Sequence, residues 1–406
     1  MEATTLLEKL LYLGRHAICS TWGNPKTAMA PQDRIFRKSK HSIARFITMQ
    51  RVPVLSPEGI PLMPTKSSRA RRWLRDGKAR IYPNDLKIFA IQLTRQPSGF
   101  HTQPIAIGVD PGKLYSGIAV QSRHSTLWAG HLVLNFKRVK ERMETRAMMR
   151  RTRRSRRINR KVSYCQRAHR QKRFDNRRGS KLPPSIKSNR QLEIRVVKEL
   201  AILYPATDIV YEIVKANGSK SFSPVMVGQY WAVSQLGSIA PVATKYGWET
   251  AKMRDILGLT KSREKSEPIL ETHAIDGITL AATVFNRKQT VHYRNSRLVS
   301  FENAIVTKSA FAVVRRPPIS RRQLHLLQFA KGGKRRKYGG TTTQHGVRKG
   351  DFVEATCAGR TYQGWVSGDT ATQVSVSGID WKRIGQFTAR KVRILQRANG
   401  LLVKPS

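Results

Sequence analysis

Residues 103–121 read QPIAIGVDPGKLYSGIAVQ, and this stretch decides the fold class. An apolar run ends at Asp110, a Pro-Gly turn follows, and Ser116 to Val120 forms a second apolar run. Two such runs around a short turn predict an antiparallel pair of strands, and Leu127 to Phe136 predicts a third strand. The stretch therefore predicts a sheet with an aspartate at the end of its first strand.

Two further carboxylates lie in segments with a clear periodicity. Glu212 interrupts the apolar strand pattern IVYEIV, and Asp276 lies in THAIDG, within a predicted helix. Asp276 follows His273 by three positions, so the two side chains are expected on one helix face. Taken singly, each of these residues also fits a structural role, as a turn former, an edge residue or a polar surface residue.

Taken together, the three carboxylates predict a metal site. A carboxylate within a buried strand is costly unless a positive charge pairs with it. Two Mg²⁺ ions held by Asp110, Glu212 and Asp276 would supply that charge and would stabilise the attacking and leaving oxygens of a phosphodiester. His273 is placed to orient or deprotonate the attacking water.

The overall charge predicts a polyanionic partner. The chain has 406 residues, with 76 Lys and Arg against 25 Asp and Glu, a net charge of +51. Nucleic acid is the favoured partner, and an acidic membrane surface is the alternative. No apolar run reaches the ~18–20 residues of a spanning helix. The three cysteines are isolated and Glu2 argues against a secretory signal, so a reducing cytoplasm is expected.

Three basic segments are candidates for binding nucleic acid. Cationic residues recur at three- and four-residue steps in a predicted helix, namely Arg146, Arg150, Arg153, Arg154, Arg157, Arg160 and Lys161. A second predicted helix, capped by Ser67 or Ser68 and ending at Gly77, carries Arg69, Arg71 and Arg72. A Gly-rich loop contributes Lys334, Arg335, Arg336, Lys337 and the ring of Tyr338. A solvated basic surface that binds any polyanion remains the alternative for each segment.

Several motifs resemble the IscB family of transposon-encoded, RNA-guided nucleases. The order GVDPG, IVYEIV and HAID is similar to the three RuvC motifs of RNase H-fold nucleases, and VPVLSPEGIPLMP resembles the N-terminal PLMP motif of IscB proteins. The arginine-rich stretch lies where that family has a bridge helix, and KGGKRRKYGG resembles the start of its C-terminal region. The resemblance extends over residues 49–406.

The resemblance implies an α/β fold with an RNase H-like (RuvC) mixed-sheet core interrupted by a bridge helix. The implied parts are an extension of unknown role (1–48), an α+β PLMP domain (49–102), RuvC-I (103–136), the bridge helix (137–178), RuvC-II and RuvC-III (179–300) and a β-rich domain that contacts the guide RNA and a target-adjacent motif (301–406). Asp110, Glu212 and Asp276 would bind the metal, with Mn²⁺ as a possible substitute for Mg²⁺, and His273 would be their catalytic partner.

One feature departs from IscB proteins. They carry an HNH nuclease between the second and third RuvC motifs, but here the residues between Glu212 and His273 include no histidine or cysteine. The pattern therefore resembles the HNH-lacking IsrB group, which nicks the non-target DNA strand. A monomeric ribonucleoprotein of a prokaryotic cytoplasm, with a structured guide RNA and duplex DNA as partners, is implied.

Three other functions remain open from the residues alone. The chain can be a structure-specific resolvase that cuts branched DNA without a guide, or a non-enzymatic nucleic-acid-binding protein. A Gly-x-Asp-x-Gly turn also opens actin-like ATPases, but no second phosphate-binding loop is evident and the charge argues against that class.

Overall fold

The structure is a computed structural model that describes residues 51–156, 161–166, 182–215, 223–293, 296–318, 343 and 345–405. The predicted extension 1–48 lies outside the described residues. No helix in these ranges combines the length and the apolar character needed to cross a bilayer.

The first part of the described chain packs one helix against a four-stranded sheet. Its elements are β1 (Arg51–Leu55), β2 (Pro61–Lys66), α1 (Ser67–Arg75), β3 (Ala79–Tyr82) and β4 (Ala90–Leu93). The strand order is β2-β1-β4-β3, with β1 parallel to β4 and the other pairs antiparallel. Val54, Leu62, Ala70 and Ile91 are buried between the helix and the sheet, so this part has a small core of its own.

Two local predictions in this part are wrong. No serine side chain caps α1, because β2 runs directly into the helix and Lys66 occupies the capping position. The fourth strand was expected from Ile88 but begins at Ala90. The Asn84 side chain accepts from the backbone N–H of Ile88 at 3.0 Å and donates to its carbonyl at 2.6 Å, which holds Ile88 in a loop instead of the ladder.

A mixed sheet forms the centre of the molecule. Its five central strands are β5 (Ile105–Asp110), β6 (Tyr115–Ser122), β7 (Thr126–Val133), β8 (Asp208–Ile213) and β9 (Val242–Tyr246). They lie in the order β7-β6-β5-β8-β9, with β5 to β7 antiparallel and with β8 and β9 parallel to β5. The predicted mixed α/β class is confirmed by this arrangement.

Five helices accompany this sheet: α2 (Phe136–Arg156), α3 (Pro184–Leu203), α4 (Pro224–Leu236), α5 (Gly247–Ile256) and α6 (Ile275–Ala282). The sequence after Pro183–Pro184 predicts a helix from Arg190 to Leu203, but α3 already begins at Pro184. Proline suits the first turn of a helix, where its missing N–H costs no hydrogen bond. The predicted arginine-rich helix is present as α2, and its role as a bridge helix stays a prediction.

Different elements pack against the two faces of the central sheet. Successive side chains of a strand point to opposite faces, so neighbouring residues of β5 contact different elements. Ile107 and Val109 join the main apolar core with residues of α3. Gly108 and Asp110 point to the opposite face, which α6 covers. A Cβ atom at Gly108 would collide with the carbonyl of Gly277, so glycine lets α6 lie directly on the strands. This close approach brings Asp276 toward the end of β5.

The remaining strands form a hairpin, a small sheet and the outer edge of the central sheet. They are β10 (Arg287–Tyr293), β11 (Ser296–Glu302), β12 (Ala310–Arg315), β13 (Phe352–Cys357), β14 (Arg360–Asp369), β15 (Gln373–Ser377), β16 (Arg383–Thr388), β17 (Val392–Gln396) and β18 (Leu402–Pro405). Strands β13 to β17 make a five-stranded antiparallel sheet around a core that includes Val353 and Val374. Alternating apolar residues predict strands in FVEATCAG, TYQGWVSG, TQVSVSG and KVRILQ. All four are present as β13, β14, β15 and β17, and β16 is additional.

The small sheet is bracketed by two strands of the central sheet. β12 precedes it and pairs in parallel with β7, and β18 follows it and pairs in antiparallel with β12. The full order of the central sheet is therefore β18-β12-β7-β6-β5-β8-β9. Residues 301–406 were expected as one β-rich domain, but two of their strands belong to the central sheet.

Candidate active site

The three predicted carboxylates lie on one face of the central sheet. Asp110 ends β5, and Glu212 lies near the end of the adjacent parallel strand β8. Because β5 and β8 are parallel, their carboxyl ends lie at the same edge of the sheet. Asp276, in the first turn of α6, covers that edge. Asp110 and Asp276 are buried, with 9% and 3% of their surface exposed, so these charges require compensation.

The charges of the other two carboxylates affect the ionisation of Glu212. Burial raises the pKa of Glu212 to about 7, and the negative charge of Asp110 and, less strongly, that of Asp276 add to the rise. A hydrogen bond from Thr250 and the positive charge of Lys261 oppose it. The hydroxyl of Thr250 donates to Glu212 Oε2 at 2.6 Å.

Two cations hold Asp276. Arg254 Nη1 lies 2.6 Å from Asp276 Oδ1, and Lys261 Nζ pairs with Oδ2. Sequence reasoning missed both cations. Arg254 lies on α5 and Lys261 in the loop after it, and nothing in their local sequence distinguishes them from the other basic residues of the chain.

His273, the predicted catalytic partner of the carboxylates, contacts Asp110. His273 Nδ1 lies 3.2 Å from Asp110 Oδ2. Its Nε2 is buried and has no hydrogen-bond partner among the described residues. The ring stacks on Tyr115, with centroids 5.7 Å apart. A carboxylate that binds one ring nitrogen fixes the orientation of the imidazole and leaves the other nitrogen for proton transfer.

The backbone that carries His273 is not the regular helix expected for residues 271–285. Leu270–Ala274 is a π-helical turn, α6 begins at Ile275, and Thr283–Phe285 is a 3₁₀ turn. The distortion centres on Thr272, at φ −90° and ψ −112°, whose hydroxyl bonds the carbonyl of Ile269 at 2.7 Å. Single π-helical turns of this kind are frequent at functional sites.

His131 lies beside this turn and is buried. His131 Nδ1 is 3.1 Å from the Thr272 hydroxyl. Burial, and secondarily the charge of His273, lower the pKa of His131 to about 4. His131 is therefore neutral near pH 7 and adds no positive charge to the site.

A buried ion pair supports the turn after Asp110. Arg190 donates to both oxygens of Glu193, at 2.7 and 3.0 Å, to the Tyr211 hydroxyl at 2.9 Å and to the Gly112 carbonyl at 2.7 Å. Ser116 donates to Glu193 at 2.5 Å and accepts from the N–H of Gly112 at 3.0 Å. Since Tyr211 precedes Glu212, this network links the turn after Asp110 to the strand of Glu212.

This network was not predicted from the sequence, although the sequence of α3 contains an indication of it. Arg190 and Glu193 are three positions apart on α3, on a buried face that is mostly apolar. Burial raises the pKa of Glu193, opposed by the charge of Arg190 and by the bond from Ser116. A charge pair on the apolar face of a helix is an indication of a buried network.

The carboxylates suit a divalent cation in their chemistry, although they do not enclose one. In the part of the chain that the structure describes, no three His, Cys, Asp or Glu side chains lie close enough together to hold a metal ion. Asp110, Glu212 and Asp276 offer the hard oxygen donors that Mg²⁺ prefers. Their mutual repulsion, visible in the raised pKa of Glu212, is the condition that a divalent cation relieves.

The predicted nucleic-acid-binding residues are only partly within the described chain. Arg69, Arg71 and Arg72 are exposed on α1, Arg146 is exposed and Arg150 half-buried on α2, and Lys161 is exposed beyond that helix. Arg153 and Arg154 lie in α2. Arg157, Arg160, Lys334, Arg335, Arg336, Lys337 and Tyr338 lie outside the described residues. The exposed members are thus accessible to a large polyanion, namely Arg69, Arg71, Arg72, Arg146 and Lys161.

The chain combines a mixed α/β fold with a carboxylate cluster at the end of its central strands. Residues 52–229 match the model of the RRXRR protein family, which occurs in IscB-type proteins. The match runs from β1 through Asp110, the arginine-rich helix and Glu212 into α4. A search of curated proteins found no significant match.

Two solved structures of RuvC are similar to part of this chain. One is of T. thermophilus RuvC in complex with a Holliday junction substrate, and the other is of Thermus thermophilus RuvC. They share 12% and 13% identity with this chain, at TM-scores of 0.25 and 0.24. In both cases the matched region covers 44% of this chain and 90% of the RuvC chain. The fold assignment rests on the strand order described above.

Proposed function

We propose that this chain is an RNA-guided DNA endonuclease that nicks the non-target strand of duplex DNA. The observation that carries the proposal is the convergence of Asp110, Glu212 and Asp276 on one sheet face. These residues come from three distant parts of the sequence, and their burial and mutual repulsion have no evident structural benefit. Such an arrangement is typical of a site that binds Mg²⁺ and a phosphodiester.

The side chains suggest a division of roles. Asp110, Glu212 and Asp276 would hold the divalent cations, which supply charge stabilisation to the phosphodiester when bound. Asp110 also fixes His273 through Nδ1, so that Nε2 is free to take a proton from water. Lys261 and Arg254 offset the charge of Asp276, and they can exchange that contact for the phosphate of a bound strand.

The guide RNA is supported by charge and by the family match. A net charge of +51 needs a polyanion of comparable size, and the exposed arginines of α1 and α2 provide surfaces for it. The RRXRR match covers the segment with the arginine-rich helix. In guided nucleases base pairing supplies sequence specificity while the protein contributes phosphate contacts and the cut.

A single nuclease site supports nicking. The residues between Glu212 and His273 contain no histidine or cysteine, so this stretch offers no ligands for an HNH-type site. One site of this kind cuts one strand at a time.

The test begins with expression of the full chain together with its native flanking DNA. Sequencing of the copurified RNA is expected to give one discrete species with a variable end. Duplex DNA that matches this end should be nicked on one strand, and a changed guide segment should redirect the nick. The Asp110→Asn chain, loaded with the same RNA, is the control. Cutting that ignores the guide, or efficient cutting of four-way junctions by RNA-free protein, would replace this proposal with the resolvase.

A further inference from the structure

A cavity of about 620 Å³ lies beside the candidate active site and is lined by none of its residues. It is bounded by the start of α2, the end of β12 and the turn Ile379–Trp381. Its charged lining comprises four cations and two carboxylates, namely Lys137, Arg138, Arg315, Arg316, Glu141 and Asp380. We refer to it as the arginine pocket.

The three guanidinium groups of the pocket are partly buried without a carboxylate bound to them. Arg315 donates to the carbonyl of Ile379 at 3.0 Å, Arg316 to that of Ser188 at 3.5 Å, and Arg138 to that of Pro318. Within the described ranges, none of the three forms an ion pair. Burial lowers the pKa of each, which shows the cost of desolvating these charges. Half-buried cations around an open cavity are the arrangement that an anion completes.

An aromatic ring forms another wall of the pocket. Trp381 is half-buried and has a φ of +65°, in the left-handed region that bulky residues rarely adopt. Such strain persists where the surrounding structure or a function maintains it. A tryptophan face beside cations offers stacking for a base next to binding for its phosphate.

The strand register relates the pocket to His273. Tyr115 pairs with Val133, and Val133 pairs with Arg315, so these three residues form one row across β6, β7 and β12. Residues in one row project from the same face, and two strand spacings amount to about 10 Å. Tyr115 stacks on His273. The arginine pocket is therefore within reach of a strand whose phosphodiester lies at the carboxylates.

We propose that the arginine pocket binds one nucleotide of the DNA strand that is cut, with its phosphate at Arg138, Arg315 and Arg316 and its base on Trp381. The inference deepens the proposed function by naming a subsite for its substrate. RNA offers the same phosphate and base chemistry, so the test compares the two nucleic acids.

The test measures binding without cleavage. The full chain carrying Asp110→Asn is titrated, in EDTA and at several salt concentrations, with a short fluorescein-labelled single-stranded DNA and with its RNA counterpart. Arg138→Gln, Arg315→Gln and Arg316→Gln are compared with Lys198→Gln, which removes one positive charge from an exposed site on α3. Each pocket variant is expected to weaken DNA binding about tenfold, through loss of a charged hydrogen bond. The salt slope should fall by about 0.7, as for one phosphate contact on a single strand.

Further variants separate binding from folding. Arg315→Lys should retain the salt slope, and Trp381→Phe should bind more tightly than Trp381→Ala. Melting temperatures show whether a glutamine variant loses DNA binding through loss of stability, because each guanidinium also donates to a backbone carbonyl. DNA binding equal to that of Lys198→Gln, a loss confined to RNA, or a loss that tracks lowered melting temperature would overturn the inference. The proposed function fails separately, if the Asp110→Asn chain still cuts DNA, and that result leaves the binding comparison intact.

Discussion

His273 Nδ1 lies 3.2 Å from Asp110 Oδ2, although 163 positions of sequence separate the two residues. The contact exists because Gly108 in β5 and Gly117 in β6 have no side chains, so α6 and the turn before it lie directly on these strands. The turn therefore reaches the end of β5. One oxygen of Asp110 is thus engaged by the imidazole. The pair defines the centre around which the other site residues are arranged.

Loss of any one of the three carboxylates is expected to stop strand cutting. Each of three variants removes a charge that would stabilise the cations, namely Asp110→Asn, Glu212→Gln and Asp276→Asn. A loss of several kcal/mol in transition-state stabilisation corresponds to a cleavage rate at least roughly 100-fold lower. Single-turnover cleavage of duplex DNA by the RNA-loaded chain measures this. RNA copurification should be unchanged. Full activity in one variant would remove that residue from the proposed site.

The sequence predicts the positions of these carboxylates because each depends on local pattern. Apolar runs place Asp110 at a strand end and Glu212 in a strand, and an apolar periodicity places Asp276 on a helix. The contacts of Asp276 with Arg254 and Lys261 could not be predicted, because they depend on how distant segments meet. The π-helical turn at Thr272 was equally hidden, since it arises from side-chain bonds to the preceding carbonyls.

The Arg190–Glu193 pair should behave as a unit in unfolding experiments. Arg190→Met or Glu193→Leu alone leaves a buried charge without its partner, at a cost of about 3–5 kcal/mol in the free energy of unfolding. The double variant should cost less than the sum, because it removes both charges. Urea unfolding of the four chains gives the coupling energy.

Arg195→Met is the matched control for this cycle. Arg195 lies on the same helix and pairs with Asp85 at 2.6 Å, but its side chain is 32% exposed. Its removal should cost about 1 kcal/mol or less. Equal effects at Arg190 and Arg195, or additive effects at Arg190 and Glu193, would contradict a coupled buried network.

His131 should make the folded chain sensitive to acid. Its pKa is about 4 in the folded chain, below its ordinary value of 6.5. Between these pH values the unfolded chain binds a proton that the folded chain does not, so the free energy of unfolding falls as the pH falls through this window. The full effect is about 3 kcal/mol. His131→Gln should flatten the dependence measured by urea unfolding, whereas His124→Gln, at an exposed position, should leave it unchanged.

The exposed arginines of α1 are expected to strengthen RNA binding through electrostatic contacts with its phosphates. Binding of the copurified RNA to the chain is expected to weaken steeply with salt, because phosphate contacts release counterions. Arg69→Gln, Arg71→Gln and Arg72→Gln together should lower the slope of log K against log salt by about 2–3. A triple substitution to glutamine at the exposed residues Lys198, Lys252 and Lys265 is the control for net charge. A slope that is equal in both triple variants would show that α1 is not a specific contact surface.

The bracketing of the small sheet by β12 and β18 has a consequence for synthesis on the ribosome. The carboxylates, His273 and their supporting helices are all encoded before residue 283, whereas the outermost strand of the central sheet is made of Leu402–Pro405. The nascent chain can therefore assemble its carboxylate cluster while the edge of β12 is still unpaired. Only when the small sheet has emerged and the chain returns along β12 is that edge closed. The small sheet thus lies, in chain order, between two strands that pair with each other in the central sheet.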